Sequence, residues 1–328
     1  MMAPNILQMR IQWTAPAGQT VFRVQASGPS VQRAFYVKCS GQCTYNIDDK
    51  LWSSLARSSL NQEMTLVITG TGSMGGQTGS STPVRVRFSP EDVRGGLYYF
   101  SPTITGIKRV PLGASAPVDF IRNGFETGCA GCHGISRDGK QVAVEFGSGD
   151  TRTGSTIVDG ANPMQRKWPL TPNIAWNYAW FNPSGDRIIT NWRSAMILRS
   201  TTDGAQVGQI SNAQIGGSYG AAMPEWSPDG RYIAMVRNLA SATYDFEIRN
   251  SGDIIVIPYN NGAFGQATTL IAGNPATDVH IWPTWSPDSK WLVFNSYTCG
   301  GNCNSYNART TRLRMVRAID DAGNPAAN

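Results

Sequence analysis

Cys129, Cys132 and His133, in the stretch "GCAGCHG", are spaced as C-x-x-C-H. Two thiols three positions apart can reach both vinyl groups of one haem and form thioether bonds, and the adjacent imidazole then lies under the iron. The spacing therefore points to one covalent haem c, with Cys129 and Cys132 as anchors and His133 as proximal iron ligand. A third disulfide or half of a zinc site would use the same thiols. Zinc, however, wants a second C-x-x-C or a nearby Cys and His pair, and a thioredoxin-like redox pair needs a βαβ context. The sequence supplies neither.

The other four cysteines form two tight pairs, Cys39 with Cys43 in "CSGQC" and Cys299 with Cys303 in "CGGNC". Gly, Ser and Asn around them allow turns that bring the sulfurs together, so both are expected as disulfides. Local disulfides and c-type haem attachment both belong to oxidising compartments, which predicts an extracytoplasmic protein of a bacterium, in the periplasm, on the outer surface or secreted. The opening "MMAPNILQMRIQW" lacks a basic and then apolar leader, so the export signal is expected upstream of this sequence. No apolar run approaches the roughly 18 to 20 residues that cross a bilayer as a helix.

Remaining motifs are weak. With two histidines in the chain, both drawn into haem hypotheses, the sequence argues against a Ser-His-Asp triad. "GTGSMGG" has no following Lys and helix, as a phosphate loop requires, and the Asp-Gly turns lack the closing Glu of a calcium loop. A net charge of +6 is spread over single Lys and Arg residues, which argues for a solvated basic surface and against a nucleic-acid partner.

The elements that must position the haem are strands. Of 328 residues, 35 are Gly and 19 Pro, and only 15% are charged, a mixture that favours short strands and many turns. Residues 1–94 carry alternating runs such as "TVFRVQA", "RAFYVKC", "MTLVITG" and "PVRVRFS", which suggest a β-sandwich of roughly seven strands. "LWSSLARSSL" reads as a short connecting helix, and "SPEDVRGG" marks the boundary. That first domain resembles a fibronectin type III or immunoglobulin-like fold.

Within residues 95–328, "LYYFSPTITGIKRVPL" reads as a hairpin, and four units then repeat: "CHGISRDGKQVAV", "YAWFNPSGDRIIT", "MPEWSPDGRYIAM" and "WPTWSPDSKWLVF". With Ile135, Phe181, Trp226 and Trp285 in register the spacings are 46, 45 and 59 residues. This matches four-stranded propeller blades of roughly 40–50 residues, with an insertion around "ATYDFEIRNSGD" in the third interval. The later two units are similar to the repeats of TolB-like β-propellers, and "CAGCHGISRDGK" resembles bacterial members of that group in which C-x-x-C-H replaces the start of one blade. Such propellers have six blades, so this one is expected to be truncated, to close with fewer blades, or to be completed by another chain.

The register aligns Cys132 with Tyr178, Met223 and Trp282, which places the haem across one mouth of the propeller channel. Met223 is the aligned soft ligand, at the position where the resemblance implies a His. His280 approaches the next blade. Met223, His280 or an open iron are the alternatives for the distal position. Trp176, Trp180 and Trp282 are candidate walls, with core packing as their ordinary alternative. The expected function is electron transfer to a redox partner protein or other cytochromes. Two alternatives stand beside it: an oligomer- or filament-forming binding protein with a structural haem, and a haem enzyme with an open distal site.

Overall fold

Nearly continuous Val, Ile, Leu and aromatic runs separated by polar turns become short antiparallel strands, and the chain is all-β apart from two short helices among the described residues. A computed structural model describes residues 2–6, 9–72, 78–114, 116–122, 128–147, 153–192, 195–237, 252–274, 277–298 and 310–326. Cys299, Cys303 and most of the expected insertion at 242–253 lie outside these. The chain divides into two units, Met1–Tyr99 with Lys108–Asp119, and Phe100–Ile107 with Phe120–Asn328.

In the first unit, Val21–Ser27 is flanked by Gln32–Lys38 and Glu63–Thr71. The latter also pairs with Gly79–Ser80 and Val84–Arg87. Arg10–Thr14 and Gln42–Asn46 form a second, two-stranded sheet. Ala26, Met64 and Leu66 of the larger sheet share one core with Ile11 and Tyr45 of the smaller. The connecting helix is Asp49–Arg57; Asp48 caps it by accepting the Leu51 N–H at 3.1 Å, and Trp52, Leu55 and Ala56 close the core. Cys39 and Cys43 are joined by a disulfide.

Among the described residues, the second unit contains four antiparallel sheets that are each a meander in chain order. The first is Ala130–Ile135, Gln141–Phe146 and Gly154–Asp159. The second is Tyr178–Phe181, Arg187–Trp192, Ala195–Ser200 and Gln206–Ile210. The third is Ala221–Trp226, Tyr232–Arg237, Asp253–Asn260 and Thr268–Ile271, and the fourth is Val279–Trp285, Trp291–Tyr297 and Thr311–Arg317. The hairpin read around "LYYF" forms as Gly96–Ser101 and Gly106–Pro111 in a further three-stranded sheet.

Leading strands of successive sheets lie side by side, as around a propeller axis, and the sheets pack face to face. Ile157, Trp176 and Ile188 fill the space between the first and second sheets, and Ile189, Met196 and Met235 that between the second and third. Val256, Leu292 and Phe294 fill that between the third and fourth. Each fully buried side chain of this size contributes about 1.5–3 kcal/mol.

A repeated hydrogen-bonded turn follows each leading strand. Ser136, Ser227 and Ser286 each donate the hydroxyl to an Asp two residues on and accept the backbone N–H five residues on. In the second sheet Asn182 accepts from Arg187 N in the same way. The turn needs a left-handed residue, supplied by Gly139, Gly185 and Gly230, and by Ser289 at φ 60° in the fourth.

Candidate functional site

Each leading strand begins at the same end of the sheets, and three of them carry one extra residue there. The pairing shifts between Gly131 and Gly134, between Ala222 and Glu225, and between Ile281 and Thr284. A β-bulge of this kind re-aims a side chain. The residue in the left-handed region is Cys132 at φ 45°, Met223 at 53° and Trp282 at 56°. These are the residues that the repeat register aligns. A non-glycine residue held there costs of order 1–3 kcal/mol, more readily maintained where the surrounding structure fixes it. The second sheet has no bulge at Tyr178, whose N–H instead turns to the Asn191 side chain, 3.0 Å away.

Strands one and two approach so closely that a Cβ at Gly134 would lie 2.2 Å from the Ala179 carbonyl oxygen. Glycine after His133 is therefore a steric requirement of this packing.

These strand ends enclose a cavity of about 470 Å3 with mainly apolar walls. Cys129, Cys132 and His133 line it from the first sheet, Asn177 to Trp180 from the second, Met223 to Glu225 from the third and Trp282 to Thr284 from the fourth, with Phe100 beside them. Met223 is buried, and its Sδ accepts the Trp282 backbone N–H at 3.4 Å. The Trp282 ring meets Tyr178 edge-on at 5.3 Å between centroids. Trp180 and Trp282 are 39% and 40% exposed, so these two rings stand at the rim.

Neither Cys129 nor Cys132 is in a disulfide. Burial, with the Glu145 charge as a smaller contribution, raises the Cys129 thiol above its ordinary value. Glu225 is pushed up to about 7 by burial, against the opposing hydrogen bonds from Trp285 N–H, at 3.2 Å, and Thr284. Among the described residues, no three or more His, Cys, Asp or Glu side chains converge as they would around a bare metal ion.

The structure brings Cys129, Cys132, His133, Met223, Trp180 and Trp282 to one cavity and leaves two candidates outside its lining. Trp176 is fully buried with Trp168 and Ile157 between the first two sheets, its backbone N–H on Ser155 Oγ at 3.2 Å; core packing claims it. His280 is fully buried as well, with Nδ1 at 2.9 Å from Ser296 Oγ and its ring edge-on to Phe294 at 5.2 Å. It precedes the bulge, in the strand's regular ladder. Glu225 is the lining residue that motif reading passed over, although it is the only carboxylate among Gly134, Trp180, Glu225 and Thr284, which share a register position.

The cavity fits a planar macrocycle in its volume, its apolar walls and its pair of thiols beside an imidazole.

No known family's sequence profile matches the chain, and no curated protein matches it in sequence. Among solved structures the chain is similar to a TolB from Agrobacterium tumefaciens, at 13% identity and a TM-score of 0.44, over 93% of this chain and 87% of that one. It is similar to TolB from Acinetobacter baumannii at 14% identity and 0.40, over 90% of this chain and 65% of that one. Hydrazine synthase of Kuenenia stuttgartiensis matches at 15% identity and 0.43, over 74% and 73%.

Proposed function

We propose that this chain is an extracytoplasmic monohaem c-type cytochrome that carries single electrons. One observation carries the reading: the three residues of C-x-x-C-H line a single apolar cavity together with a buried thioether, Met223. Cys129 and Cys132 would hold haem c through thioether bonds, and His133 would take the proximal position. One-electron chemistry is what the iron of such a group supplies when bound.

This chain's own residues set the conditions. Met223 offers a soft sulfur to the cavity, and the Trp282 N–H on that sulfur restrains its orientation while leaving a second lone pair. A thioether favours the reduced metal and gives a higher potential than a second imidazole. Trp180, Trp282 and Tyr178 give the cavity apolar walls, which would lower the local dielectric around a bound group. Were Met223 to ligate the iron, its sulfur would favour electron transfer over small-molecule chemistry. The Cys39–Cys43 disulfide supports an oxidising compartment, and no described helix is long and apolar enough to cross a membrane.

Absorption spectra of the oxidised and reduced protein, before and after denaturation, test the proposal. A low-spin spectrum and haem that stays with the denatured chain are expected. Complete release of haem on denaturation overturns it.

A further inference from the structure

Each leading strand is the edge of its sheet, so alternate backbone N–H and C=O groups on it face away from the ladder and need other partners. Between the third and fourth sheets, one pair of residues meets this need in both directions. The Glu225 carboxyl accepts the Trp285 backbone N–H at 3.2 Å, and the Trp285 indole N–H donates to the Glu225 carbonyl oxygen at 3.1 Å. Thr284 adds a side-chain hydrogen bond to the same carboxyl. Both residues are buried, so water competes little for these bonds.

The same junction carries the bulges of Met223 and Trp282, two residues before Glu225 and three before Trp285. The links across it differ in strength. A thioether is a weak acceptor, so the Trp282 N–H on the Met223 sulfur, at 3.4 Å, holds little by itself. A backbone N–H on a buried carboxyl is the stronger link and the costlier one to leave unmade. Met223 needs such support, because a left-handed backbone at a residue with a Cβ persists only where its surroundings fix it. Losing a bulge turns the side chains on one side of it to the opposite face.

We infer that Glu225 is a positioning residue: by clamping Trp285 it fixes the strand bearing Met223 against the strand bearing Trp282, and so holds the Met223 sulfur in the cavity. Farther along the junction, the Asp229 N–H donates to Ser289 Oγ at 3.1 Å, and Val256, Leu292 and Phe294 share one core. The two sheets therefore stay joined when the Glu225 link is cut, and the effect falls on the cavity end. That an iron meets this sulfur rests on the function proposed above; the clamp does not.

Nuclear magnetic resonance of the full haem-loaded chain with isotopically labelled methionine methyl groups tests the clamp. The sequence has 10 methionines, and Met223→Leu assigns the Met223 signal. One narrow Met223 signal is expected in the wild type and in Glu225→Gln, which keeps an oxygen for the Trp285 N–H. Glu225→Leu has similar bulk and no acceptor, and is expected to shift and broaden that signal. Imidazole is expected to bind the iron of Glu225→Leu about tenfold more tightly than that of the wild type, the factor that matches one lost hydrogen bond.

Should Glu225→Leu not fold, Trp285→Phe keeps a ring, loses the indole N–H, and is expected to shift the same signal; an unchanged signal there overturns the inference. So does a folded Glu225→Leu with a lowered melting temperature but an unchanged Met223 signal and imidazole affinity, which would leave Glu225 a structural residue only. Equal disturbance in Glu225→Gln overturns it too, because the acceptor is retained. If the chain carries no haem, the Met223 signal of the haem-free protein decides the inference by the same outcomes, and only the iron reading falls.

Discussion

The backbone N–H of Trp282 points at the sulfur of Met223, 3.4 Å away, and both residues are held in the left-handed region, at φ 56° and 53°. Two neighbouring leading strands thus each place a bulge residue at the same level, and one bulge restrains the side chain of the other. Replacing Met223 tests whether that sulfur faces the iron. Met223→Ala is expected to turn a low-spin haem spectrum high-spin and to cost about 2–5 kcal/mol of stability, because a buried side chain is deleted. Met223→His is expected to restore the low-spin spectrum at a lower potential. An unchanged spectrum in Met223→Ala removes the residue from the iron.

Glu225 gives the protein a pH dependence of known sign. In the unfolded chain its carboxyl loses its proton near the ordinary value of 4.5, whereas in the fold burial holds it to about 7. Below the first value both states are protonated. Between the two the unfolded state ionises first, so stability falls as pH rises and levels off above about 7, a loss on the order of 3 kcal/mol. Glu225→Gln keeps an oxygen for the Trp285 N–H and removes the charge. Its urea midpoint is expected to change less across this window and to exceed that of the wild type under mildly alkaline conditions.

His280 separates structure from ligation. Its burial lowers its pKa below the ordinary 6.5, with the Asp278 charge opposing, so its contribution to stability is lost as pH falls from that value toward the folded one. His280→Ala is expected to destabilise the fold by about 2–3 kcal/mol through lost packing on Phe294, while the Ser296 hydroxyl keeps its donation to Asp278. The haem spectrum is expected to stay as it was. A shift to high-spin in this variant, with Met223→Ala silent, would exchange the roles of the two residues.

The serine turns differ in depth. Ser227 is fully buried, donates to Asp229 and accepts from Tyr232 N, whereas the Ser286 turn is solvent-exposed. Ser227→Ala is expected to lower stability by about 1–3 kcal/mol, because a buried N–H loses its acceptor, and Ser286→Ala by less. Thermal unfolding of the two variants side by side checks the order.

Much of this arrangement is legible in the sequence because it repeats. Aligning Ile135, Phe181, Trp226 and Trp285 lines up Cys132, Tyr178, Met223 and Trp282, and three of these four are the bulge residues. Asp48 before "DKLWSSLAR" announces the helix by its cap. The bulges themselves are not legible, since Cys, Met and Trp have no intrinsic preference for positive φ; packing between adjacent strands imposes it. The face that Trp176 takes was hidden for a related reason, as it lies just ahead of the strand whose alternation would have assigned it. His280 looked available because a histidine near a motif suggests a ligand, whereas its surroundings, Ser296 and Phe294, come from the next strand. Glu225 shows the converse: one carboxylate in a register of Gly, Trp and Thr was a signal in plain view.

The serine and asparagine turns have a consequence for the order in which the chain acquires structure. Each closes its hairpin through groups no more than five residues apart, so every sheet has a nucleus that needs no distant partner. The hairpin after Cys132 and His133 can form while the strands bearing Met223 and Trp282 are still unpaired. If Cys129, Cys132 and His133 hold haem as proposed, they would be accessible on this hairpin before the strands bearing Met223 and Trp282 pack against it. Attachment chemistry that requires access to both cysteines would thereby be compatible with their place in the lining of the final cavity.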